Sequence, residues 1–129
     1  MNSEFRDKRF NLKRFLNSFK YSVEGLKYAY KNEQSMFLHF VITIFSIALG
    51  IIFRISNFEW IITIFLLSTT ASLELLNTAI EAVVDMVTEK YHPLAKVAKD
   101  TASASVFVTS MLGFVAGLII YIPKILSLF

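Results

Sequence analysis

The sequence of 129 residues contains no cysteine. That absence excludes a disulfide framework, catalysis by a thiolate and metal sites built from cysteine. Glycine and proline are also scarce, at four and two residues, whereas 55% of the residues are apolar and thirteen are phenylalanine. The mean hydropathy is +0.57. Such a chain is too apolar for an ordinary soluble domain, and its length suits one folded unit.

Three long apolar stretches dominate the chain after its basic N-terminal segment. They run over residues 36–53, 60–84 and 101–123, and the first and third contain no Asp, Glu, Lys or Arg. Each reaches the roughly 18 to 20 residues that a helix needs to cross a bilayer at ~1.5 Å per residue. We therefore predict an all-α membrane protein with transmembrane helices over residues 36–53, 59–88 and 94–122.

The segment before the first apolar stretch is both basic and amphipathic. It holds eight of the thirteen Lys and Arg residues, which are Arg6, Lys8, Arg9, Lys13, Arg14, Lys20, Lys27 and Lys31. Its apolar residues recur in steps of four and three, at Leu12, Leu16, Phe19, Val23, Leu26 and Tyr30. The spacing predicts an amphipathic helix over residues 4–32 that lies in the membrane interface, although a helix of a soluble bundle has the same spacing. The adjoining apolar stretches favour the bilayer, and not nucleic acid, as the partner of these charges.

The distribution of charge along the chain predicts its topology. Arg54 in the first connection is balanced by Glu59, whereas three lysines lie between Lys90 and Lys99 in the second connection. By the positive-inside rule, the basic segment and the second connection are cytoplasmic, and the first connection is outside. The N-terminus is therefore expected in the cytoplasm and the C-terminus outside.

The end of the second apolar stretch carries an unusual set of polar residues. At roughly 100° per residue, one face of the helix presents Glu74, Asn77, Thr78, Glu81 and Asp85. A carboxylate near the bilayer centre costs ~2.5 to 3.5 kcal/mol, so this face should look into a helix bundle or a wet cleft. Glu81 and Asp85 alone could simply lie in water beyond the membrane. Glu74 lies about two turns deeper than Glu81, and it is the strongest candidate for a functional residue.

A second polar face follows at the start of the third membrane helix. Pro93 suits the first turn of that helix, and counting from there one face carries His92, Lys96, Lys99, Asp100 and Ser103. Two lysines at a helix start can hold phosphate oxygens, although they also serve as positive-inside anchors. The chain has no G-x-x-x-x-G-K-[ST] loop, no G-x-G-x-x-G turn and no protein-kinase catalytic loop. Any phosphate must therefore be bound by side chains on helices.

Glu33 lies directly before the first membrane helix, at the cytoplasmic depth that the topology assigns to Glu81. Two carboxylates converging there would suit Mg²⁺, which takes one or two carboxylates and completes its coordination with water and phosphate oxygens. The alternative for Glu33 is an ordinary solvated glutamate at a helix end.

These residues together resemble a known family. The string ELLNTAIEAVVD from Glu74 to Asp85, the string YHPLAKVAKDTASA from Tyr91, and NE before the first span are similar to the bacterial integral-membrane diacylglycerol kinase family. The similarity extends over essentially the whole chain. His39, six residues after Glu33, resembles the undecaprenol kinase branch of that family. Gln34, Ser35 and Leu38 depart from the usual pattern of that branch, so the choice between undecaprenol and diacylglycerol stays open.

The resemblance implies an architecture and an activity. It implies one lipid-kinase domain over residues 1–129, with three membrane helices and an N-terminal surface helix, assembled as a homotrimer with active sites shared between subunits. It further implies transfer of the γ-phosphoryl group of ATP to a membrane lipid alcohol, with Mg²⁺, at the inner (plasma) membrane of the cell. Undecaprenol is the expected acceptor, and diacylglycerol is the alternative.

The resemblance also implies roles for individual residues. Glu74 matches the catalytic base of the family, and Asn77 matches the amide beside it. Glu33 and Glu81 match the acids that bind the metal and its nucleotide. The positions matched to contacts with nucleotide or substrate are Arg14, Tyr21, Ser22, Gly25, Lys90, Tyr91, His92, Lys99 and Asp100.

Two functions of other classes compete with a kinase. An ion-coupled transporter or channel would also bury Glu74, but it has no need of the lysine and aspartate at the cytoplasmic end of the third helix. A non-catalytic scaffold would use the amphipathic segment and the G-x-x-x-G of Gly113 and Gly117 for helix packing. It leaves the acidic face without a purpose.

Overall fold

The computed structural model of the protein describes residues 11–129, and this part of the chain is built from four α-helices. They are α1 (Leu12–Asn32), α2 (Gln34–Ile52), α3 (Asn57–Val87) and α4 (Pro93–Leu126). Helices α2, α3 and α4 are each long and apolar enough to cross a membrane. The predicted fold class, three membrane helices preceded by an amphipathic helix, is confirmed. Residues 4–10, the predicted start of the amphipathic helix, lie outside the described residues.

Helix α1 belongs to one compact unit of the chain, and the other three helices belong to a second unit that begins at Glu33. The apolar residues that define the stripe of α1, including Leu12, Leu16 and Phe19, are exposed along the helix. Phe15 and Phe19 contact each other edge to face, with ring centroids 5.2 Å apart. An exposed apolar stripe flanked by basic residues is the arrangement of a helix that lies on a membrane surface.

Helices α3 and α4 pack against each other in antiparallel directions and form the most extensive helix contact. An ion pair joins them near each end. Lys124 Nζ lies 3.1 Å from Glu59 Oε1 at one end, and Lys99 Nζ lies 2.5 Å from Asp85 Oδ1 at the other. The 31 residues of α3 correspond to about 46 Å, so its ends reach past a hydrocarbon core of about 30 Å.

Helix α2 ends in a turn that usually contains glycine. The Ile55 N–H donates to the Gly50 carbonyl at 3.1 Å, and the Arg54 N–H donates to the Ile51 carbonyl at 3.2 Å. This pair of bonds places Arg54 in the left-handed region, at φ 48°. The left-handed conformation is unfavourable for a residue other than glycine. Apolar packing offsets this cost, because Ile55, the residue after Arg54, is buried.

Gly50 permits the close approach of α3 to the end of α2. A Cβ at this position would lie 2.6 Å from a ring atom of Trp60 and 3.1 Å from Cδ1 of Ile55. The Trp60 ring therefore occupies the space of the missing side chain. Nothing in the sequence indicates this contact.

Helix α3 begins with a capping box. The Glu59 N–H donates to Ser56 Oγ at 3.3 Å, and the Ser56 N–H donates to Glu59 Oε2 at 2.6 Å. Glu59 precedes the apolar stretch that starts at Trp60. The bond from the Ser56 backbone and the ion pair to Lys124 together engage both carboxylate oxygens of Glu59. The capping box thus provides hydrogen-bond partners for backbone N–H groups at the start of α3, and Lys124 of α4 pairs with the capping glutamate.

Helix α4 continues four residues beyond the end predicted from the sequence, through Pro123 to Leu126. Proline removes one hydrogen-bond donor from the helix, but it leaves its own carbonyl available. The Ser127 N–H donates to that Pro123 carbonyl at 3.1 Å, which closes the last turn. The extension carries Lys124 to its partner Glu59.

A cavity of about 460 Å³ lies among α2, α3 and α4. Its walls are mostly apolar, and they include Gly113 and Gly117, where an added Cβ would meet no atom within 4 Å. These glycines therefore do not mediate close helix packing within the described chain. Two polar groups of the wall, His39 Nε2 and the Tyr121 hydroxyl, are buried without a hydrogen-bond partner among the described residues.

Candidate functional site

Glu74 is a buried carboxylate in the interior of α3. Only 8% of its surface is exposed, and the equally buried Thr70 lies one turn before it. The hydroxyl of Ser35, the second residue of α2, donates to Glu74 Oε2 at 2.8 Å. The start of α2 therefore lies beside this acid, at a depth where the sequence predicted a polar face turned into a bundle or cleft.

Glu33 occupies the residue position immediately before α2. Its backbone is extended, at φ −107° and ψ 118°, and its side chain makes no capping hydrogen bond. Serine, threonine, aspartate and asparagine are preferred at this position because they accept a bond from the first turn, and that bond contributes ~1 kcal/mol. The Glu33 carboxylate gives up that contribution and stays half-buried two residues before Ser35.

The next turns of α3 carry a second polar contact. Asn77 Nδ2 donates to Glu81 Oε1 at 3.0 Å, whereas Asn77 Oδ1 is buried and has no hydrogen-bond partner among residues 11–129. The Thr78 hydroxyl is bonded to the Glu74 carbonyl at 3.1 Å. Buried amide oxygens are rarely left unbonded, so the free Asn77 oxygen marks this face as able to accept another donor.

Lys99 and Asp100, adjacent on α4, have different partners. Lys99 bonds Asp85 on α3, whereas Asp100 forms an ion pair with Lys96 one turn earlier on α4. Lys99 precedes the apolar stretch 101–123, and its ammonium group donates to Asp85 Oδ1. Lys99 thus brings positive charge to the end of α3 that carries Glu81 and Asp85.

The connection between α3 and α4 is ordered by its own polar side chains. The Lys90 N–H donates to Thr88 Oγ1 at 3.2 Å, and the Leu94 N–H donates to His92 Nδ1 at 3.2 Å. His92 thereby caps α4, with Pro93 in the first turn as the sequence predicted. The side chains of Lys90, Tyr91 and His92 are exposed.

The candidate residues of α1 form a separate group. Arg14, Tyr21 and Ser22 are exposed on that helix, and the Ser22 hydroxyl donates to the Ser18 carbonyl at 2.9 Å. A side chain added at Gly25 would meet nothing within 4 Å. These residues are accessible on their helix.

The structure thus joins some predicted residues directly. Asn77 bonds Glu81, and Asp85 bonds Lys99. Sequence reasoning missed the contact of Ser35 with Glu74, because the two residues are 39 positions apart and on different helices. The available signal was a hydroxyl in the first turn of a helix, at a level that the topology places near the deepest acid.

The donor set is compatible with Mg²⁺. Across residues 11–129 no group of three or more His, Asp or Glu side chains is placed to hold a metal ion. Magnesium usually needs only one or two carboxylates, because water and phosphate oxygens complete its octahedron. Glu33, free of a capping bond, and Glu81, bonded through Oε1 by Asn77, are acids of this kind.

Comparison with known proteins identifies the same family. The sequence profile of the prokaryotic diacylglycerol kinases matches residues 20–121. The undecaprenol kinase of Bacillus subtilis is 38% identical over 120 residues, which cover 93% of this chain and 98% of that protein. The diacylglycerol kinase of Haemophilus influenzae is 38% identical over 111 residues, covering 85% and 94% of the two chains. The diacylglycerol kinase of Escherichia coli K12 is 30% identical over 95 residues, covering 74% and 78%.

The matches cover all three membrane helices in part or in full, together with the acidic face of α3 and the polar start of α4. They agree with a fold whose helices suit a bilayer and whose helix α3 carries a buried acid, Glu74, and further along an ion pair from Asp85 to Lys99 of α4. The chain belongs to the prokaryotic diacylglycerol kinase family and is an integral-membrane lipid kinase.

Proposed function

We propose that the protein transfers the γ-phosphoryl group of ATP to the hydroxyl group of undecaprenol, in a reaction that requires Mg²⁺. The observation that carries this proposal is the buried Glu74 carboxylate, which accepts a hydrogen bond from Ser35 of α2. Glu74 lies on the same face of α3 as Asn77 and Glu81. Such a carboxylate is a suitable general base for a lipid alcohol that approaches through the bilayer.

In this mechanism Glu74 accepts the proton of the lipid hydroxyl while the hydroxyl oxygen attacks the γ-phosphorus of ATP. The bond from phosphorus to the β,γ-bridging oxygen breaks, and ADP leaves with that oxygen. Phosphoryl transfer depends mainly on positioning and on stabilising the charge of the phosphate oxygens. Asn77, one turn from Glu74, has a free amide oxygen to orient a donor in the site.

The remaining site residues serve the nucleotide. Lys99, charged and close to the acidic end of α3, offsets phosphate charge, and the resemblance assigns nucleotide or substrate contacts to Arg14, Tyr21, Ser22, Lys90, Tyr91, His92 and Asp100. Glu33 and Glu81 are the acids that would hold Mg²⁺. When bound, Mg²⁺ supplies charge neutralisation at the phosphate oxygens.

The proposal extends to the assembly and its setting. We propose that residues 1–129 form one kinase domain of a homotrimer with active sites shared between subunits, as the resemblance implies. The distribution of lysine and arginine supports an inner-membrane protein with a cytoplasmic N-terminus and an outer C-terminus. ATP then arrives from the cytoplasm, and the lipid hydroxyl arrives at the headgroup level of the same leaflet.

Diacylglycerol is the second candidate acceptor. Its basis is the set of relatives named diacylglycerol kinase, such as that of Haemophilus influenzae, whereas the relative named undecaprenol kinase covers more of the chain. The resemblance carried by His39, six residues after Glu33, supports the undecaprenol branch.

One assay tests both acceptors. The purified protein in detergent micelles is incubated with ATP labelled in the γ-phosphate, Mg²⁺ and either undecaprenol or diacylglycerol, and labelled lipid phosphate is extracted into an organic phase. We expect rapid labelling of undecaprenol and slower labelling of diacylglycerol. Labelling of diacylglycerol alone would reassign the acceptor. Absence of any labelled lipid, with ion flux in vesicles that contain the protein, would favour a transporter.

A further inference from the structure

Ion pairs join α3 and α4 at Lys124–Glu59 and at Lys99–Asp85, and both are made between groups that are at least partly exposed. The hydrogen bond from Ser35 of α2 to Glu74 of α3 is different, because it ends on a buried carboxylate. Its position at that acid distinguishes it from the other serine and threonine contacts, most of which return to a carbonyl of the same helix.

The Ser35 hydroxyl has a single hydrogen, and the bond to Glu74 Oε2 uses it. A carboxylate with one oxygen held in this way has its plane and its rotamer restricted, and the second oxygen, Oε1, then points in a defined direction. A general base needs such a direction, because a misplacement of about 1 Å can reduce a rate about 100-fold.

We propose that Ser35 is a positioning residue of the lipid kinase. It holds Oε2 of Glu74 so that Oε1 faces the hydroxyl group of the lipid substrate. This inference rests on the proposed role of Glu74 as the general base. Because Ser35 follows Glu33 by two residues, the same turn also fixes the distance between the base and the acid proposed for the metal.

The location of Ser35 supports this role over a purely structural one. Ser35 is exposed while its partner is buried, so their bond lies at the boundary of the contact between α2 and α3. A bond that served only to join the helices would be more effective inside that contact. At a boundary it places the carboxylate where a polar headgroup can reach it.

The test compares variants at Ser35 in the lipid phosphorylation assay. For Ser35→Ala we expect kcat to fall about 10- to 100-fold, with KM for ATP and for the lipid changed less than about twofold. Ser35→Thr keeps the hydroxyl and should restore most of the rate. Ser72→Ala is the matched control, because Ser72 is an exposed serine of α3 whose hydroxyl donates to the Ser68 carbonyl one turn earlier on the same helix.

A double-mutant comparison separates positioning from structure. If Ser35 acts through Glu74, then Ser35→Ala adds no further loss to a protein that already carries Glu74→Gln. A structural role would lower the rate in both backgrounds. Should Ser35→Ala fail to fold, Ser35→Cys fills the same space with a weaker donor and takes its place in the comparison.

The outcomes are distinct from those of the parent proposal. A wild-type protein that phosphorylates no lipid alcohol contradicts the proposed function itself. A wild-type kinase whose Ser35→Ala variant keeps kcat within about twofold, or whose Ser35→Thr variant is as slow as Ser35→Ala, overturns the role of Ser35 alone.

Discussion

The two ends of the α3–α4 pair are built differently. At the Glu59 end, which comprises Ser56, Glu59 and Lys124, the capping box and the ion pair engage both carboxylate oxygens of Glu59. At the Glu74 end, which comprises Glu74, Asn77, Glu81, Asp85 and Lys99, Asn77 Oδ1 has no hydrogen-bond partner within residues 11–129. The side chains of the Glu59–Lys124 pair are 23% and 29% exposed, whereas those of Asp85 and Lys99 are 58% and 37% exposed.

The difference separates groups that hold the helices together from the groups to which we assign a role in catalysis or substrate binding. Local rules of capping and charge pairing account for the Glu59 end completely. They do not account for the Glu74 end, where a buried acid and an unbonded amide oxygen each lower the stability of the folded protein. Such costs in stability are expected at functional sites.

The largest test of this comparison exchanges one acid at each end for its amide. Glu74→Gln should keep the helical content and ATP binding but reduce lipid phosphorylation about 10²- to 10⁴-fold, because the general base is lost. Glu59→Gln should leave turnover within about twofold and lower the midpoint of thermal unfolding in micelles, because it weakens the cap and the ion pair. Near-normal turnover of Glu74→Gln, or a folded but inactive Glu59→Gln, would contradict the division.

A smaller effect, on stability, is expected at Gly50, which contacts the Trp60 ring beside Glu59. Gly50→Ala should destabilise the protein by about 1 to 3 kcal/mol, because the new methyl group would overlap the Trp60 ring. Gly113→Ala is the matched control in the cavity wall, and it should be neutral or stabilising by up to about 1 kcal/mol. Unfolding by heat or denaturant in micelles measures both. Equal effects of the two substitutions would show that the Trp60 contact adjusts freely.

The smallest effect concerns the ion pair at the Glu74 end. Asp85→Asn should release Lys99 and remove a negative charge near the proposed phosphate site, so KM for ATP should fall by up to about fivefold. Glu89→Gln, which removes an exposed acid of the nearby connection, is the control and should change KM less. An unchanged KM together with a lower unfolding temperature would mean that the Asp85 pair is structural, like the pair at Glu59.

The sequence predicts those features that depend on helical periodicity or on apolar length. Four helices and the shared face of Asn77 and Glu81 follow from spacing along a single segment, and their direct bond agrees with that spacing. The start of α4 at Pro93 follows from local turn chemistry as well, whereas the capping bond of His92 was found only in the structure. Such features need no knowledge of how distant segments pack.

Contacts between distant segments were beyond the reach of the same reasoning. The rotation of α2 relative to α3 decides whether Ser35 contacts Glu74, and the contact of the Trp60 ring with Gly50 depends on the same packing. The periodicity of a single helix does not specify how two helices pack. Pro123 shows a related limit, because the local rule ends a helix there, whereas Lys124 gains a partner on α3 when the helix continues.

The open space beside Gly113 gives experimental access to the cavity among α2, α3 and α4. Because the chain has no cysteine, a single thiol introduced at this position would be unique in the molecule and would need no background mutations. A Cβ there meets no neighbouring atom, so a small spin label or fluorophore can be attached with little displacement of the backbone. The spectrum of that label would report on hydration and crowding inside the cavity as substrates bind and leave.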